Sequence, residues 1–356
     1  MNAISLFSGA GIDEFYLSDL NINVILANEL IKSRAIAYKK LHENQNVIND
    51  DICKDEVKKT IIEFAKDNNV RLIIATPPCQ GLSWAGSNKT GESLIKDKRN
   101  FLVLNALEIF DAVRPDYFII ENVPRFQEMR FPYKNKSVTL YELLESSYSN
   151  DYEISVNILD AADYGVPQTR LRVVYRLWKK GLKWHLPQKE KQISLQIAIG
   201  NLPSLESGES SDIKNHQARK HPLSHITCMR YTPTGKSAYD NEEHFPKKDN
   251  GEKIKGFKNT FKRMRWDRPA PTITMRNEIV SSQENVHPGR KKADGTWSDA
   301  RVLTLRELLI VSSLPPDLDV PDNLTETAFR QIIGEGIPPR MFAKIIQGID
   351  ELYEQN

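Results

Sequence analysis

Cys79 stands where a nucleophile would be expected. It follows the apolar run Leu72–Thr76 and two prolines, Pro77 and Pro78, which end a strand and stiffen the turn after it. Ligands of open α/β sheets lie beyond the carboxyl ends of the strands, so a thiol at this point can reach a substrate. The polar, glycine-containing stretch 81–99 that follows is typical of a lid over an active site.

Ionisable side chains at strand ends form a second group of candidates. Glu121 ends the apolar run Tyr117–Ile120, and a carboxylate there is costly to bury unless it is paired or protonated. It is therefore a candidate general acid or hydrogen-bond donor. Arg170 and Arg172 occupy alternate positions entering a strand, so we expect both on one face, suited to a phosphate or a carbonyl oxygen. Taken singly, each of these residues also fits a solvent-exposed charge.

A glycine-rich turn indicates a cofactor site. Phe7-Ser8-Gly9-Ala10-Gly11 follows the first apolar run and precedes an expected helix, and its glycines allow close backbone approach to a ligand. Glu29 is placed to accept hydrogen bonds from ribose hydroxyls, and Asp51 to accept one from an adenine amino group. The turn lacks the third glycine of the dinucleotide fingerprint, so on its own it fits many nucleotides or a simple tight turn.

These residues must be positioned by a mostly parallel, doubly wound α/β sheet, because apolar runs of strand length alternate with segments of helical periodicity. The predicted strands are Ala3–Phe7, Asn23–Ala27, Arg71–Thr76, Tyr117–Glu121, Glu153–Leu159 and Arg172–Leu177. The predicted helices are Ile31–Leu41, Val57–Asn68 and Leu102–Val113.

Two domains are predicted from a change of character along the chain. Residues 1–187 show the α/β alternation, and a helical pattern at 327–356 is expected to pack back on them. Residues 188–326 are rich in loop-forming residues and form a smaller, irregular domain. Charge follows the same division: residues 214–301 hold 19 Lys and Arg against 10 Asp and Glu, a net +9, which leaves 2 − 9 = −7 for the remainder. A basic segment on an acidic body is typical of a polyanion-binding protein, although a solvated lysine-rich surface also fits.

Composition narrows the class of protein further. No apolar run approaches the roughly 18 residues needed to span a bilayer, and the first residues carry no basic signal-peptide region. Three cysteines are too few and too scattered for a disulfide framework or a zinc site, so we expect no metal. A reducing, cytoplasmic setting is expected. Cys53 and Cys228 are expected to be small buried hydrophobic residues.

Taken in chain order, the motifs resemble the blocks of the C5-cytosine DNA methyltransferase family. The resemblance extends over the whole chain except about residues 188–260. Any one block can arise by chance, whereas all of them in one order are very hard to explain otherwise. The matching blocks are Phe7–Gly11, Pro77–Gln80, Glu121–Val123, Gln168–Arg172, Arg268–Thr274, His287–Pro288 with Arg301–Glu307, and Arg330–Pro339.

The resemblance implies a role for each catalytic candidate. Cys79 would attack C6 of cytosine as a thiolate, and Glu121 would hold and protonate N3. Arg172 would contact O2 of the base, and Arg170 would support the nucleophile and a nearby phosphate. The stretch 81–99 corresponds to the family's mobile loop, which closes over a base flipped out of the duplex.

The implied cofactor is S-adenosyl-L-methionine, with S-adenosyl-L-homocysteine as product. The sequence departs from the family pattern at Leu30, where an aromatic residue is common, and at Glu335, where an asparagine near the cofactor is usual. No role is assigned to Glu335. The implied cofactor-binding residues are Phe7, Gly9, Gly11, Glu29, Asp51, Ile52, Pro77 and Leu102.

The implied partner is duplex DNA carrying a specific short sequence, bound by a monomer. The variable stretch 188–267 corresponds to the family's target-recognition region. A bacterial, nucleoid-associated modification enzyme with a separate companion endonuclease is expected by association. The implied DNA contacts are Pro78, Gln80, Ser83, Asn122, Arg268 and Thr272. Basic and aromatic residues suited to phosphate contacts are Lys247, Lys248, Lys253, Lys255, Lys258, Lys262, Arg263, Arg265 and Trp266.

Three other functions compete with this interpretation. A related enzyme acting on cytosine in tRNA would transfer methyl groups to RNA, but the long basic variable region favours DNA. A catalytically silent DNA-binding protein would need no intact Cys79, Glu121, Arg170 and Arg172. A nicotinamide-dependent dehydrogenase, indicated by the glycine-rich turn alone, leaves the Pro-Pro-Cys-Gln segment unexplained.

Overall fold

The computed structural model describes residues 1–42, 46–78, 101–248 and 250–350. The chain divides into two compact units. The first, which we call the sheet unit, comprises Met1–Asp160, Leu171–Gln188 and Phe342–Asn356. The second, the loop-rich unit, comprises Ala161–Arg170 and Lys189–Met341. Which unit binds cofactor and which reads DNA stays a prediction.

A seven-stranded sheet organises the sheet unit, in the order β3-β2-β1-β4-β5-β9-β8. Strands β1 to β5 pair in parallel, whereas β9 pairs antiparallel with both β5 and β8. The predicted mostly parallel, doubly wound α/β fold is therefore confirmed. The strands are β1 Asn2–Leu6, β2 Asn23–Asn28, β3 Asn46–Ile48, β4 Leu72–Ala75, β5 Tyr117–Asn122, β8 Tyr152–Asp160 and β9 Leu171–Lys179.

Helices of the sheet unit bury the apolar stripe that their spacing predicts. In α2, Val57, Ile61 and Ala65 repeat every four residues and enter the same core as β4 and β5. Every residue of β4 and β5 is buried, which accounts for their continuous apolar runs. The helices are α1 Lys32–Leu41, α2 Asp55–Asp67, α3 Val103–Val113 and α4 Leu140–Tyr148.

Some local predictions for the sheet unit are wrong or incomplete. The helix expected after the glycine-rich turn is instead two short 3-10 turns, Ile12–Glu14 and Ser18–Leu20. Asn21, with φ 56°, turns the chain into β2 before a longer helix can form. Strand β3, the hairpin of β6 (Phe131–Tyr133) and β7 (Lys136–Val138), and α4 were not predicted.

Few regular elements occur in the described part of the loop-rich unit. Its helices are α5 Leu195–Ile199, α6 Leu223–Arg230, α7 Leu305–Val311 and α8 Glu326–Glu335, and α9 (Pro339–Gln347) runs from this unit into the sheet unit. A small apolar cluster includes Cys228, Phe261 and Val286. Cys228 is buried as expected, whereas the same prediction for Cys53 is wrong, because Cys53 lies exposed in the turn before α2.

Four buried arginines hold the loops of this unit together. Arg170, Arg263, Arg301 and Arg330 are each 3% exposed or less. Between them they donate hydrogen bonds to nine backbone carbonyl groups, for example from Arg263 to those of Met229, His287 and Asp299. Loops without a sheet leave buried carbonyls unpaired unless side chains reach them, and a guanidinium offers five donors.

Buried carboxylates balance part of this positive charge. The Arg301 guanidinium contacts Asp299 and Glu307, both at 2.8 Å. Burial alone would raise the pKa of Glu307, but the Arg301 charge holds it at about 2. His287 lies beside both acids, and its Nδ1 accepts a hydrogen bond from Gly289 N at 3.1 Å, as a neutral ring does. Burial lowers the pKa of His287 to about 4.

We expect this cluster to make the protein sensitive to mild acid. The unfolded chain takes up a proton at His287 near pH 6.5, and the folded chain only near pH 4. Between these values the unfolded state binds more protons. The free energy of unfolding therefore decreases as the pH is lowered, by up to about 3 kcal/mol. Calorimetric midpoints at about pH 7.5 and about pH 5 measure the loss.

Two substitutions isolate the contribution of His287 to this sensitivity to acid. His287→Gln removes the titrating ring, so its midpoint should fall less between the two pH values than that of the wild type. His244→Gln replaces a half-buried histidine that stacks on Tyr231, outside the cluster. Its midpoint should fall by as much as that of the wild type. An equal fall for His287→Gln and the wild type would contradict the assignment.

Candidate active site

The carboxyl ends of β1, β4 and β5 meet at one edge of the sheet and are joined by side-chain hydrogen bonds. Thr76 Oγ1 donates to Phe7 O at 3.0 Å, which ties the end of β4 to the turn after β1. Asn122 Nδ2 donates to Pro77 O at 3.1 Å, which ties β5 to β4. The turn after β1 and the end of β5 are thus both hydrogen-bonded to the segment that leads to Cys79. Asn122 is buried here as a brace, and its contact with DNA stays a prediction.

Three sequence predictions at this edge lie outside the described residues. They are the proposed nucleophile Cys79, the DNA contacts Gln80 and Ser83, and the lid over 81–99. Pro77 is buried and Pro78 half-buried immediately before them.

Glu121 and Arg172 form an ion pair at the end of β5. Arg172 Nε lies 2.7 Å from Glu121 Oε1, and the two side chains are 12% and 10% exposed. The strand register explains the contact: Glu121 lies opposite Val174, and Arg172 points to the same face of β9 as Val174. A carboxyl group and a guanidinium group are thus held side by side at the edge.

Arg170 directly precedes strand β9, as expected of a residue entering it, and whether it shares one face with Arg172 stays a prediction. Strand β9 begins at Leu171, and the Arg170 guanidinium donates within the loop-rich unit to the carbonyls of Ile273, Gly334 and Glu335 at 2.9 to 3.1 Å. A buried guanidinium needs several acceptors, and these loop carbonyls supply them. Its support of the nucleophile stays a prediction.

Glu29, the acid that follows β2, is hydrogen-bonded to the glycine-rich turn. Gly9 N donates to Glu29 Oε2 at 2.9 Å, and Ile31 N donates to Glu29 Oε1 at 2.7 Å. Gly9 and Gly11 have φ of 56° and 69°, the left-handed region that glycine tolerates.

The loop that holds the predicted adenine-binding residues, Asp51 and Ile52, contacts the start of α3, where the predicted cofactor residue Leu102 lies. Asp51 Oδ1 accepts from Cys53 N at 2.9 Å, and Ile52 is buried beside it. Asn105 Nδ2 donates to Leu102 O and approaches Cys53 Sγ at 3.7 Å, so the start of α3 contacts the loop after β3. The first residue after Glu29, Leu30, is 62% exposed and offers an apolar face at the same edge.

Four residues behind the glycine-rich turn were not predicted. The buried carboxyl groups of Asp13 and Glu14 follow Gly11, and Tyr38 donates its hydroxyl hydrogen bond to Glu14. His42 stacks on Tyr38 and lies with Nε2 2.8 Å from Gly11 O. Two adjacent acids in an otherwise apolar stretch were the available sequence signal.

The residues predicted to contact phosphate divide into exposed and buried groups. Arg263 is buried, so its predicted phosphate contact is wrong: its guanidinium is held by backbone carbonyls. Trp266 donates from its indole nitrogen to Gly289 O and is half-buried. Thr272 is exposed, and its hydroxyl donates to Thr169 O. The exposed members are Lys247, Lys248, Lys253, Lys255, Lys258, Arg265 and Arg268.

Two negative findings bear on the kind of site. Among the described residues, no three His, Cys, Asp or Glu side chains are arranged to hold a metal ion. No helix in that part of the chain is long and apolar enough to cross a membrane.

Comparison with known proteins places this arrangement in context. A family model described as C-5 cytosine-specific DNA methylase matches residues 1–351. The chain is 46% identical over 353 residues to the Type II methyltransferase M1.HgaI of Avibacterium volantium, covering 99% of this chain and 98% of that protein. It is 27% identical over 350 residues to the Type II methyltransferase M1.HphI of Haemophilus parahaemolyticus, covering 97% and 86%.

Solved structures share the fold at lower identity. The Entamoeba histolytica methyltransferase EhMeth has a TM-score of 0.65 and 19% identity, covering 100% of this chain and 98% of that one. A Spodoptera frugiperda DNMT2 mutant has a TM-score of 0.62 and 17% identity, covering 99% of both chains.

The glycine-rich turn allows a matched test of its packing. A Cβ at position 11 would lie 2.5 Å from His42 Nε2 and 2.7 Å from Tyr38 Cε2, whereas one at position 9 would meet no atom within 4 Å. We expect Gly11→Ala to lower the free energy of unfolding by roughly 2–4 kcal/mol, from clash and backbone strain together. Gly9→Ala, with strain alone, should lose about 1 kcal/mol. Denaturant unfolding of both variants measures the difference, and equal losses would show that His42 and Tyr38 do not brace the turn.

Proposed function

The chain belongs to the C-5 cytosine-specific DNA methylase family, and on that premise we propose that it methylates C5 of a flipped-out cytosine in duplex DNA through a covalent bond to Cys79. The observation that carries the proposal is the Glu121–Arg172 pair at the edge of the sheet, held next to the segment that leads to Cys79. We further propose a specific short recognition sequence and a place in a restriction–modification system.

The proposed methyl donor is S-adenosyl-L-methionine, and the edge of the sheet has features that fit it. Gly9 faces open space, so the backbone there can be approached closely. Glu29 is hydrogen-bonded to the glycine-rich turn, where the ribose is expected, and Asp51 lies in the loop expected at adenine. Leu30 offers an exposed apolar face in place of the aromatic residue common in the family. When bound, this cofactor supplies a methyl group on a positively charged sulfur.

Cytosine C5 is a poor nucleophile, and the proposed residues change that in steps. The Cys79 thiolate adds to C6 while Glu121 donates a proton at N3, so that the electron pair moves toward C5. Arg172 holds the carbonyl oxygen O2 and keeps the ring in register with Glu121. Once C5 carries the methyl group, water takes the C5 proton, the C5–C6 double bond forms again and Cys79 leaves as a thiolate. Glu121 then takes back the proton from N3, which restores the starting state of the enzyme.

Glu121 must reach its protonated state during this reaction, and its surroundings act in both directions. Arg172 favours the ionised carboxylate. Burial favours the neutral form. Such opposed influences suit a carboxyl group that must give up a proton and take it back.

The role of Glu121 can be tested by an isosteric change. Glu121→Gln keeps the size of the side chain but has no acidic proton, so we expect methyl transfer to fall by roughly 10²–10⁴-fold. Glu128→Gln makes the same change at an exposed position seven residues along and should leave the rate unchanged. The rate of label transfer from methyl-labelled cofactor to duplex DNA is the measurement. Comparable rates for Glu121→Gln and the control would remove Glu121 from the mechanism.

Covalent catalysis can be tested separately. Duplex DNA with 5-fluorocytosine at the target has no C5 proton to lose, so the enzyme with cofactor should remain bonded to it and shift in a denaturing gel. Cys79→Ser should form no such adduct and should give no 5-methylcytosine. Label on adenine, or transfer to RNA with none to DNA, would overturn the proposal, the second outcome in favour of a tRNA-directed relative.

A further inference from the structure

Asp13 is a buried carboxyl group without a side-chain partner at the cofactor edge. It lies two residues after Gly11, is 6% exposed, and its Oδ2 accepts no hydrogen bond. Leaving a buried polar atom unpaired costs free energy, so such atoms in a native protein call for an explanation.

The adjacent acid, Glu14, has local partners that Asp13 lacks. Tyr38 donates a hydrogen bond to Glu14, and the Tyr38 and Ser5 hydroxyl groups and the His42 ring all lower the pKa of Glu14, against the larger effect of burial, which raises it. Burial likewise raises the pKa of Asp13, and so do the charges of Glu14 and Glu121; only its own backbone opposes them. Glu14 therefore braces the turn through the oxygen that Tyr38 contacts, although Glu14 Oε1, like Asp13 Oδ2, has no hydrogen-bond partner among the described residues.

The location of Asp13 relates it to the reaction. Its turn follows β1, and Phe7 at the start of that turn is tied through Thr76 and Pro77 to β5, which carries Glu121. Neighbouring strands are about 4.8 Å apart, so β1 and β5, with β4 between them, end about 10 Å apart. The charge of Glu121 acts on Asp13 over this distance. Asp13 thus directly follows the cofactor turn and lies close enough to the catalytic acid for the charge of Glu121 to act on it.

The ligand that best satisfies an unpaired buried carboxyl group is a cation. The proposed cofactor and its product differ in charge at one atom: the sulfonium sulfur of S-adenosyl-L-methionine is positive, and the thioether sulfur of S-adenosyl-L-homocysteine is neutral. We infer that Asp13 is a positioning residue that favours the cationic cofactor over the neutral product. This inference rests on the proposed function.

Binding of the cation should displace a proton. Without ligand, burial and the charges of the neighbouring acids raise the pKa of Asp13 and so favour its protonated form. A positive charge beside it stabilises the carboxylate, so Asp13 gives its proton to the solvent as the cofactor binds, and the neutral product causes no such release. The charged and titratable groups that act on it are Glu14 and Glu121, backed in turn by Tyr38 and His42 and by Arg172.

Equilibrium binding tests the inference without any catalytic step. Titration calorimetry with S-adenosyl-L-methionine and with S-adenosyl-L-homocysteine, each in two buffers of different ionisation enthalpy, gives both the dissociation constant and the number of protons released. For the wild type we expect proton release with the first ligand and little with the second. For Asp13→Asn we expect affinity for the first to fall on the order of tenfold or more, from loss of one close charge pair, and affinity for the second to hold within about twofold.

The outcomes separate the inference from the proposed function. Equal weakening of both ligands by Asp13→Asn, or equal proton release with both in the wild type, overturns the inference and leaves the proposed function intact. Binding of neither ligand by the wild type overturns the proposed function. The proton count requires no variant, so it decides the matter even if Asp13→Asn fails to fold. Asp19→Asn, at an exposed acid six residues along, is the matched control and should leave the affinities for both ligands unchanged.

Discussion

Parallel pairing of β1 with β2 and β4, and of β4 with β5, is the constraint on which the candidate site depends. Parallel strands end on the same side of a sheet, so four segments that are far apart in sequence must emerge together. The turn from Phe7, the acid Glu29, the prolines before Cys79 and the acid Glu121 all follow from this one arrangement. The hydrogen bonds of Thr76 and Asn122 then fix the spacing between neighbouring strand ends.

Charge at this edge is balanced over few groups. Asp13, Glu14 and Glu121 are buried acids, and Arg172 is the base in contact with Glu121. Buried charges of one sign favour neutral forms, and each added proton or cation changes the balance for the others. An edge built in this way responds to the charge of whatever binds to it, which suits a reaction that begins with a cationic donor and ends with a neutral one.

The sequence predicted the parts of the molecule that depend on local pattern. Continuous apolar runs gave β4 and β5, and helical spacing gave α2 and α3, because each of these elements buries most of its own apolar side chains. Strand β3 has only three residues and a half-buried pattern, too little to distinguish it from a loop. Helix α4 is different: its capping box, Thr139 with Glu142, was a readable start signal.

The site was less predictable wherever a role depends on long-range contacts. Alternation placed Arg170 and Arg172 on one strand face, but only the fold shows that Arg170 is taken up by the carbonyls of Ile273, Gly334 and Glu335. The backbone is also closely packed at Gly334, where a Cβ would lie 2.3 Å from Thr274 O. Glu335 departs from the family's usual asparagine, yet its backbone makes a contact that any residue type can provide.

The basic character of residues 214–301 has two origins, and only one concerns a partner. Arg263 and Arg301 belong to the 19 basic residues counted there, but both are buried and donate to backbone carbonyls or to carboxylates. A unit with little sheet needs such donors, since its loops would otherwise bury unpaired carbonyl groups. The charge that can face a partner therefore lies with the exposed basic side chains, among them Lys247, Lys253 and Arg268. Net charge alone does not distinguish a buried arginine that donates to backbone carbonyls from an exposed lysine that can face a polyanion. The burial of each side chain does.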